Sequence, residues 1–333
     1  METIVLAHGD GGQLTHDLVR EVFLPFFEDP ALLEQTDAAT LPADSRHLAV
    51  STDSFVIQPL EFPGGDIGKL AVAGTVNDLA VSGAKPAFLT AGFVLEEGLE
   101  IETLKRFVHS MAVMAREAGV RIVAGDTKVV ERGKCGGAII NTTGIGFMEV
   151  PGKYVYCNIQ PGDRIVINGG IAEHAVSILA TRAGLEFSPP IMSDCRVLLP
   201  VIKRVLERFP TIRFMRDPTR GGVATALKEI ALLARLDITL KEETIPIQPA
   251  IQGTLEVMGM DPLYLANEGK VLFIVSSSEA AELVDFLHSI PGNEMASEIG
   301  FTMSGNGTLW LQTEIGGKRE LGMLSGTPLP RIC

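Results

Sequence analysis

Apolar residues at Leu104, Phe107, Val108, Met111 and Met114 recur at helical spacing through Glu100–Gly119, and the closing glycine is the residue type that ends a helix. Val120–Ala124 then reads as a short buried strand delivering Gly125-Asp126-Thr127, and Ala138–Thr143 as a strand closing in Gly144-Ile145-Gly146. Earlier, His47–Ser51 and Ile67–Ala73 are rich in β-type residues, and each runs into an acidic or Asn-Asp segment. The Pro161-Gly162-Asp163 turn opens a second half with a strand over Arg164–Asn168 and a helix over about Ala172–Ala183. Ser193-Asp194 has the chemistry of a helix cap and predicts a helix running to Phe209. The segment Phe214–Gly222 leads into a helix over Val223–Ala234, with strands near Ile238, over Val271–Val275 and over Leu309–Gln312. The pattern predicts an α/β (α+β) protein of two domains, residues 1–150 and 151–325, followed by an extended tail, 326–333.

The chain of 333 residues is long enough for two cores of about 150 residues each. Hydrophobic residues make up 46% and charged residues 21%, the balance of a soluble globular protein. A formal charge of −13 and the lack of a long basic run argue against a nucleic-acid partner. The opening METIVLAHGD predicts no secretory leader, and no apolar stretch reaches the roughly 20 residues of a membrane-spanning helix. Cys135, Cys157, Cys195 and Cys333 form no CxxC pair, so neither a zinc ribbon nor a disulfide framework is expected, and a cytoplasmic setting is. His16, His47, His109, His174 and His288 lack metal-ligand spacing and are expected to be structural.

Gly64-Gly65-Asp66-Ile67-Gly68-Lys69-Leu70 fails as a phosphate loop of the Walker type, because Leu70 stands where a hydroxyl should reach magnesium. No GxGxxG follows a strand. The chain does carry aspartates after apolar runs: Asp53 in Ser-Thr-Asp-Ser, Asp78 in Val-Asn-Asp, Asp126 in Gly-Asp-Thr-Lys and Asp217 in Arg-Asp-Pro-Thr-Arg-Gly-Gly. Each alone is compatible with a turn or cap; together, as hard oxygen ligands, they suit Mg²⁺ held against phosphates. Thr219-Arg220-Gly221-Gly222 before a helix suits an anion, as does the Gly11-Gly12 loop near the N-terminus. Asn267-Glu268-Gly269-Lys270 places a carboxylate at another strand edge. The tail, Gly326-Thr-Pro328-Leu-Pro330-Arg331-Ile332-Cys333, cannot propagate a helix. Its chemistry leaves two readings open, a frayed end or a stiff arm with a thiol at its tip.

Taken in order, these motifs resemble the HypE family of hydrogenase maturation factors, within the aminoimidazole-ribonucleotide synthetase-like (PurM-like) ATP-binding proteins. The matching segments are His8–Gly12, Ser51–Ser54, Phe62–Gly68, Asn77-Asp78, Gly125–Lys128, Asp217–Gly222, Asn267–Lys270 and the Pro330–Cys333 ending. The resemblance implies a homodimer that pairs its N-terminal mixed sheets and forms ATP sites at the interface. It implies ATP and Mg²⁺ as cofactors, with Gly11, Gly12, Asp53, Lys69, Asn77, Asp78, Gly125, Asp126, Thr127, Asp217, Thr219, Arg220, Gly221 and Gly222 at the nucleotide. Asp53, Asp78, Asp126 and Asp217 are the implied magnesium ligands. Cys333 would carry a carbamoyl group placed there by HypF, with Lys128 and Glu268 assisting its ATP-dependent dehydration to thiocyanate. The cyanide would pass to a HypC–HypD complex for the iron of nickel-iron hydrogenase. Competing readings are another PurM-like synthetase or kinase, and a nucleotide-gated scaffold for metallocentre assembly.

Overall fold

The computed structural model describes residues 3–5, 17–27, 47–148 and 153–322. Gly11, Gly12 and the whole 326–333 tail with Cys333 lie outside the described residues.

The N-terminal domain is a four-stranded mixed sheet with helices on one face. Its strands are β1 (His47–Phe55), β4 (Lys85–Glu96), β5 (Arg121–Val130) and β6 (Ala138–Met148), in the order β1-β6-β4-β5. Only the β4–β5 pair is parallel, and α2 (Ile101–Ala118) makes the crossover between them. The predicted amphipathic helix forms as expected: Leu104, Phe107, Val108 and Met111 are buried, and Gly119 closes it at φ 66°. Both expected strands after α2 form and run longer, so Gly125-Asp126-Thr127 lies in the middle of β5, not at its end.

The predicted strand over Ile67–Ala73 is instead the start of a helix, α1 (Ile67–Val81), entered from a small hairpin of β2 (Glu61–Phe62) and β3 (Gly65–Asp66). The Asp66 carboxylate accepts the Lys69 backbone N–H at 2.9 Å and caps the first turn. Of the 15 residues of α1, 13 are buried, so the helix has no polar face and shows no helical period in its sequence. Small residues allow that burial. A side chain at Gly68 would overlap the Phe107 carbonyl of α2, so glycine sets the closeness of the two helices.

The C-terminal domain is a seven-stranded sheet, β13-β12-β9-β11-β7-β10-β8, antiparallel except for β9–β12. Its strands are β7 (Arg164–Ile167), β8 (Phe214–Arg216), β9 (Leu236–Lys241), β10 (Leu272–Val275), β11 (Ser297–Ser304), β12 (Leu309–Gln312) and β13 (Lys318–Leu321). The helices are α3 (Glu173–Ala183), α4 (Leu199–Arg208), α5 (Gly222–Ala234), α6 (Pro249–Met258) and α7 (Ala280–His288). Ser193 and Asp194 cap no helix. Residues 191–198 belong to no helix or strand, and α4 starts only at Leu199, with a proline in its first turn where the missing N–H is harmless.

The two domains share core. Ala80 and Val81, at the end of α1, pack with Leu198, Val201, Val205 and Phe273. In return Ala175, Val176, Ile178, Cys195 and Val197 join the N-terminal cluster around Leu70, Val72 and Phe107. Each large apolar side chain buried this way stabilises by about 1.5–3 kcal/mol. Among the described residues no helix is long and apolar enough to cross a membrane.

Candidate active site

Strand alternation decides which β1 side chains reach α1. Ser51 and Asp53 share the helix-covered face, and the Ser51 hydroxyl donates to Asp78 Oδ2 at 2.7 Å. Thr142, paired with Asp53 in the β1–β6 register, lies on the same face and donates to the Ala71 carbonyl of α1 at 2.8 Å. Asp78 therefore comes from a helix, not from the strand end its apolar approach predicts. Asp53 lies within β1, and only Asp217 directly follows its strand, β8.

Asp217 and Glu268 approach from the other domain. Burial is the main cause that pushes the Asp217 carboxyl up to about 7, and the charges of Asp78 and Asp53 add to it. Its Oδ2 is buried without a hydrogen-bond partner among the described residues. Glu268 is raised well above the usual carboxylate range, first by burial and then by Asp194, Asp217, Asp53 and Asp78. Asp78 is raised by burial, opposed by the Ser51 hydrogen bond, with Asp53 adding repulsion. Asp53, Asp78, Asp217 and Glu268 thus influence one another across the domain junction. An orphaned buried oxygen among mutually repelling carboxyls is relieved by a proton or by a bound cation.

No group of three or more His, Cys, Asp or Glu among the described residues is arranged to hold a metal by itself. Hard carboxylate oxygens without a closed cage fit Mg²⁺, which takes one or two protein carboxylates and completes its shell with phosphate and water. The donors present fit that ion better than zinc.

Thr219 and Arg220 precede α5, with Arg220 exposed and the Thr219 carbonyl accepting the Gly222 N–H at 3.0 Å. Gly221 caps α5 at φ 77° and Gly222 follows at φ 64°. A side chain on Gly222 would meet the Leu263 and Leu265 carbonyls, so its space is filled by the protein's own backbone. Lys69 donates to the Gly64 carbonyl at 2.8 Å and so braces the Gly64-Gly65 turn. Asn77, an expected nucleotide contact, has both ends of its amide engaged within the protein. It is buried; its amide nitrogen donates to the Arg196 carbonyl at 3.0 Å and its oxygen accepts the Leu198 N–H at 2.8 Å.

Gly125, Asp126, Thr127 and Lys128 sit on β5, away from α1's carboxylate. Thr127 is buried toward the helices; Asp126 and Lys128 project from the opposite, open face and pair with each other at 3.0 Å. The register aligns Asp126 with Gly92, Asn141 and Ser54, a row on that open face. In one chain Asp126 and Lys128 are not brought to Asp53 and Asp78.

The polar network around Glu268 escaped the sequence reading. Asp194 accepts the backbone N–H groups of Glu268 and Gly269 at 3.2 and 3.1 Å, and Lys270 pairs with Glu173 at 2.7 Å and Asp194 at 3.3 Å. Asn267 accepts the Ala172 N–H at 2.8 Å and donates to the Pro218 carbonyl at 3.0 Å, tying the residue beside Asp217 to the residue beside Glu268. A signal existed for Asp194: Pro200 marks the true helix start and frees Asp194 from a capping role. His174, buried and bonded to Ser193 at 2.8 Å, is structural as expected.

Two family descriptions match the chain: AIR synthase related protein, N-terminal domain, over residues 35–148, and AIR synthase related protein, C-terminal domain, over residues 160–308. The carbamoyl dehydratase HypE of Rhodobacter capsulatus is 44% identical over 100% of this chain and 98% of its own length. The chain belongs to the HypE family of AIR synthase related proteins. A crystal structure of hydrogenase maturation protein HypE in complex with ATP superimposes with a TM-score of 0.95, at 43% identity, covering 99% of this chain and 100% of that one. The HypE-family chain of a HypE–HypF complex superimposes with a TM-score of 0.80, at 41% identity, covering 92% of this chain and 99% of that one.

Proposed function

We propose that this HypE-family chain is an ATP-dependent carbamoyl dehydratase whose substrate is carried on the thiol of Cys333. The observation that carries the site assignment is the convergence of Asp53, Asp78, Asp217 and Glu268 from two domains, one of them with an orphaned buried oxygen. Mg²⁺, when bound with ATP, would neutralise phosphate charge; Asp53, Asp78 and Asp217 are the residues that would hold it, and Asp126 would join from across a dimer. Thr219, Arg220 and Lys69 are the proposed contacts to phosphate oxygens.

The reaction balances as follows. The carbamoyl oxygen attacks the γ-phosphorus while one proton leaves the nitrogen, giving an S-bound imidoyl phosphate and ADP. Loss of the second nitrogen proton, with departure of phosphate, leaves S–C≡N. Poor leaving-group chemistry is thereby made easy, and the remaining task is positioning and proton removal. Glu268 is the proton acceptor in this scheme, a contribution of about 10²–10⁴-fold. Burial, and then the charges of Asp194, Asp217, Asp53 and Asp78, raise its carboxyl well above the ordinary range, so its strength as an acceptor depends on whatever offsets those charges.

Lys128, proposed to stabilise the carbamoyl oxygen, projects from the open sheet face. That face also carries Leu48 and Val50, 53% and 63% exposed, which suits pairing with a second copy. A homodimer built this way presents Lys128 and Asp126 to the junction between subunits. HypF is the proposed carbamoyl donor, in keeping with the HypE–HypF complex among the similar structures, and a HypC–HypD complex the proposed cyanide acceptor.

Intact-mass measurement tests the reading. The full chain, incubated with a HypF-type partner, carbamoyl donor and ATP, should gain one carbamoyl group and then lose one water, with neither change in Cys333→Ala. A carbamoylated chain that keeps its water would refute dehydration and favour the scaffold reading.

A further inference from the structure

Residues 193–198 form an irregular strap between the domains, and each side of the site grips it. From the N-terminal domain, the Pro63 carbonyl accepts the Ser193 N–H at 2.8 Å, and Asn77 bridges the Arg196 carbonyl and the Leu198 N–H. Gly64 leaves no room: a side chain there would lie 2.9 Å from the Ser193 backbone. From the C-terminal domain, Glu268 and Gly269 donate their backbone N–H groups to Asp194, while the Arg196 guanidinium donates through Nε to the Gly269 carbonyl at 3.2 Å. A side chain on Gly269 would overlap the Asp194 carbonyl.

The connectivity matters more than any single bond. Asn77 adjoins Asp78 in α1, and Asp194 holds the backbone of Glu268 itself. A continuous polar chain therefore runs from one half of the site to the other through the strap. Asp194 is fully buried, and burial works against its charge; Lys270, His174 and the backbone N–H of Glu268 more than offset this, leaving the carboxyl below its ordinary range. Oδ1 accepts the Glu268 N–H while Oδ2 accepts the Gly269 N–H and faces the Lys270 ammonium, so both oxygens must accept. An amide cannot replace the carboxylate, because one of its two ends donates.

We propose that Asn77 and Asp194 are positioning residues for the reaction, acting through the 193–198 strap to set Glu268 against the Asp53–Asp78 half of the site. They touch neither substrate nor nucleotide in this scheme. Their part is to align phosphoryl transfer, handled by one set of groups, with proton removal, handled by another. Loosening the strap separates the two steps: ATP is still cleaved, but the phosphate goes to water while the carbamoyl group persists. Misplacement by about 1 Å at a reacting centre can cost on the order of 10²-fold.

This proposal rests on the dehydratase reading, and one experiment separates their failures. With carbamoylated full-length chain and ATP, phosphate release and thiocyanate formation on the tail are measured together for the parent, Asp194→Asn and Asn77→Ala. The ratio is taken per turnover, so partial loss of folded protein in either variant does not alter it. The parent is expected to release about one phosphate per thiocyanate, and each variant about tenfold more phosphate per thiocyanate. Unchanged ratios, with both rates lowered in step or not at all, would overturn the positioning role and leave the strap merely structural. A parent chain that forms no thiocyanate would instead defeat the dehydratase reading.

Discussion

Asp217 and Glu268 show how position changes a carboxyl's behaviour. In sequence each is an acid beside small or polar residues; in the fold both are buried beside other acids and hold their protons far more tightly than in water. Such a group favours the folded state most when it is protonated. That contribution is complete below the ordinary carboxylate range, about pH 4, and is lost as pH rises through the folded value of about 7 for Asp217. The nucleotide-free protein should therefore melt at progressively lower temperature between about pH 4 and pH 7. Asp217→Asn should flatten part of that slope and melt higher than the parent at neutral pH. Parallel slopes for parent and variant in a pH series of thermal melts would contradict this. The same residue scale explains Asn77. Neighbouring Asn77 and Asp78 read as one motif, yet a helix turns successive side chains by about 100°, sending one to the strap and the other to the site.

At the scale of elements, α1 is the informative case. Its apolar run is continuous because the helix is surrounded, by the sheet, by α2 and by the second domain, and periodicity is silent when every face is buried. Helix α2, with one face in water, was readable from its spacing alone. The strap was misread for a different reason: Ser-Asp is good capping chemistry, but the bonds Asp194 makes go to residues more than 70 positions away. Two glycines test the packing view. Gly68→Ala should destabilise by about 1–3 kcal/mol in denaturant unfolding, since the Phe107 backbone stands in its way. Gly253→Ala, in α6 with nothing near the added carbon, should stabilise by about 0.5–1 kcal/mol. Equal effects of the two would refute backbone crowding as the reason for glycine at 68.

For the whole molecule, the open face of the N-terminal sheet is the feature that one chain leaves unfinished. Its alternating row of Leu48, Val50, Thr52 and Ser54 is matched across the register by Phe147, Ile145, Thr143 and Asn141. Asp126 and Lys128 continue the same face at β5. If two copies pair there, Val50→Asp should move the mass found by light scattering from two chains to one, and thiocyanate formation should fall with it. A variant that stays dimeric would place the interface elsewhere. The shared cores between domains argue that the two halves of the site are held rigidly, and that the strap works within a packed junction.

By itself the sequence determined the two-domain mixed fold, the amphipathic α2, several of the later strands and the family, and it nominated Asp53, Asp78, Asp217 and Glu268 as candidate site acids. Those are local: spacing, turn chemistry and short motifs carry them. Only the tertiary structure decided that Ile67–Ala73 is helical, that Asn77 and Asp194 serve the strap, and that Asp126 and Lys128 face away from the other carboxyls. Each depends on what packs against a residue from a distant part of the chain, which sets burial, charge and direction together.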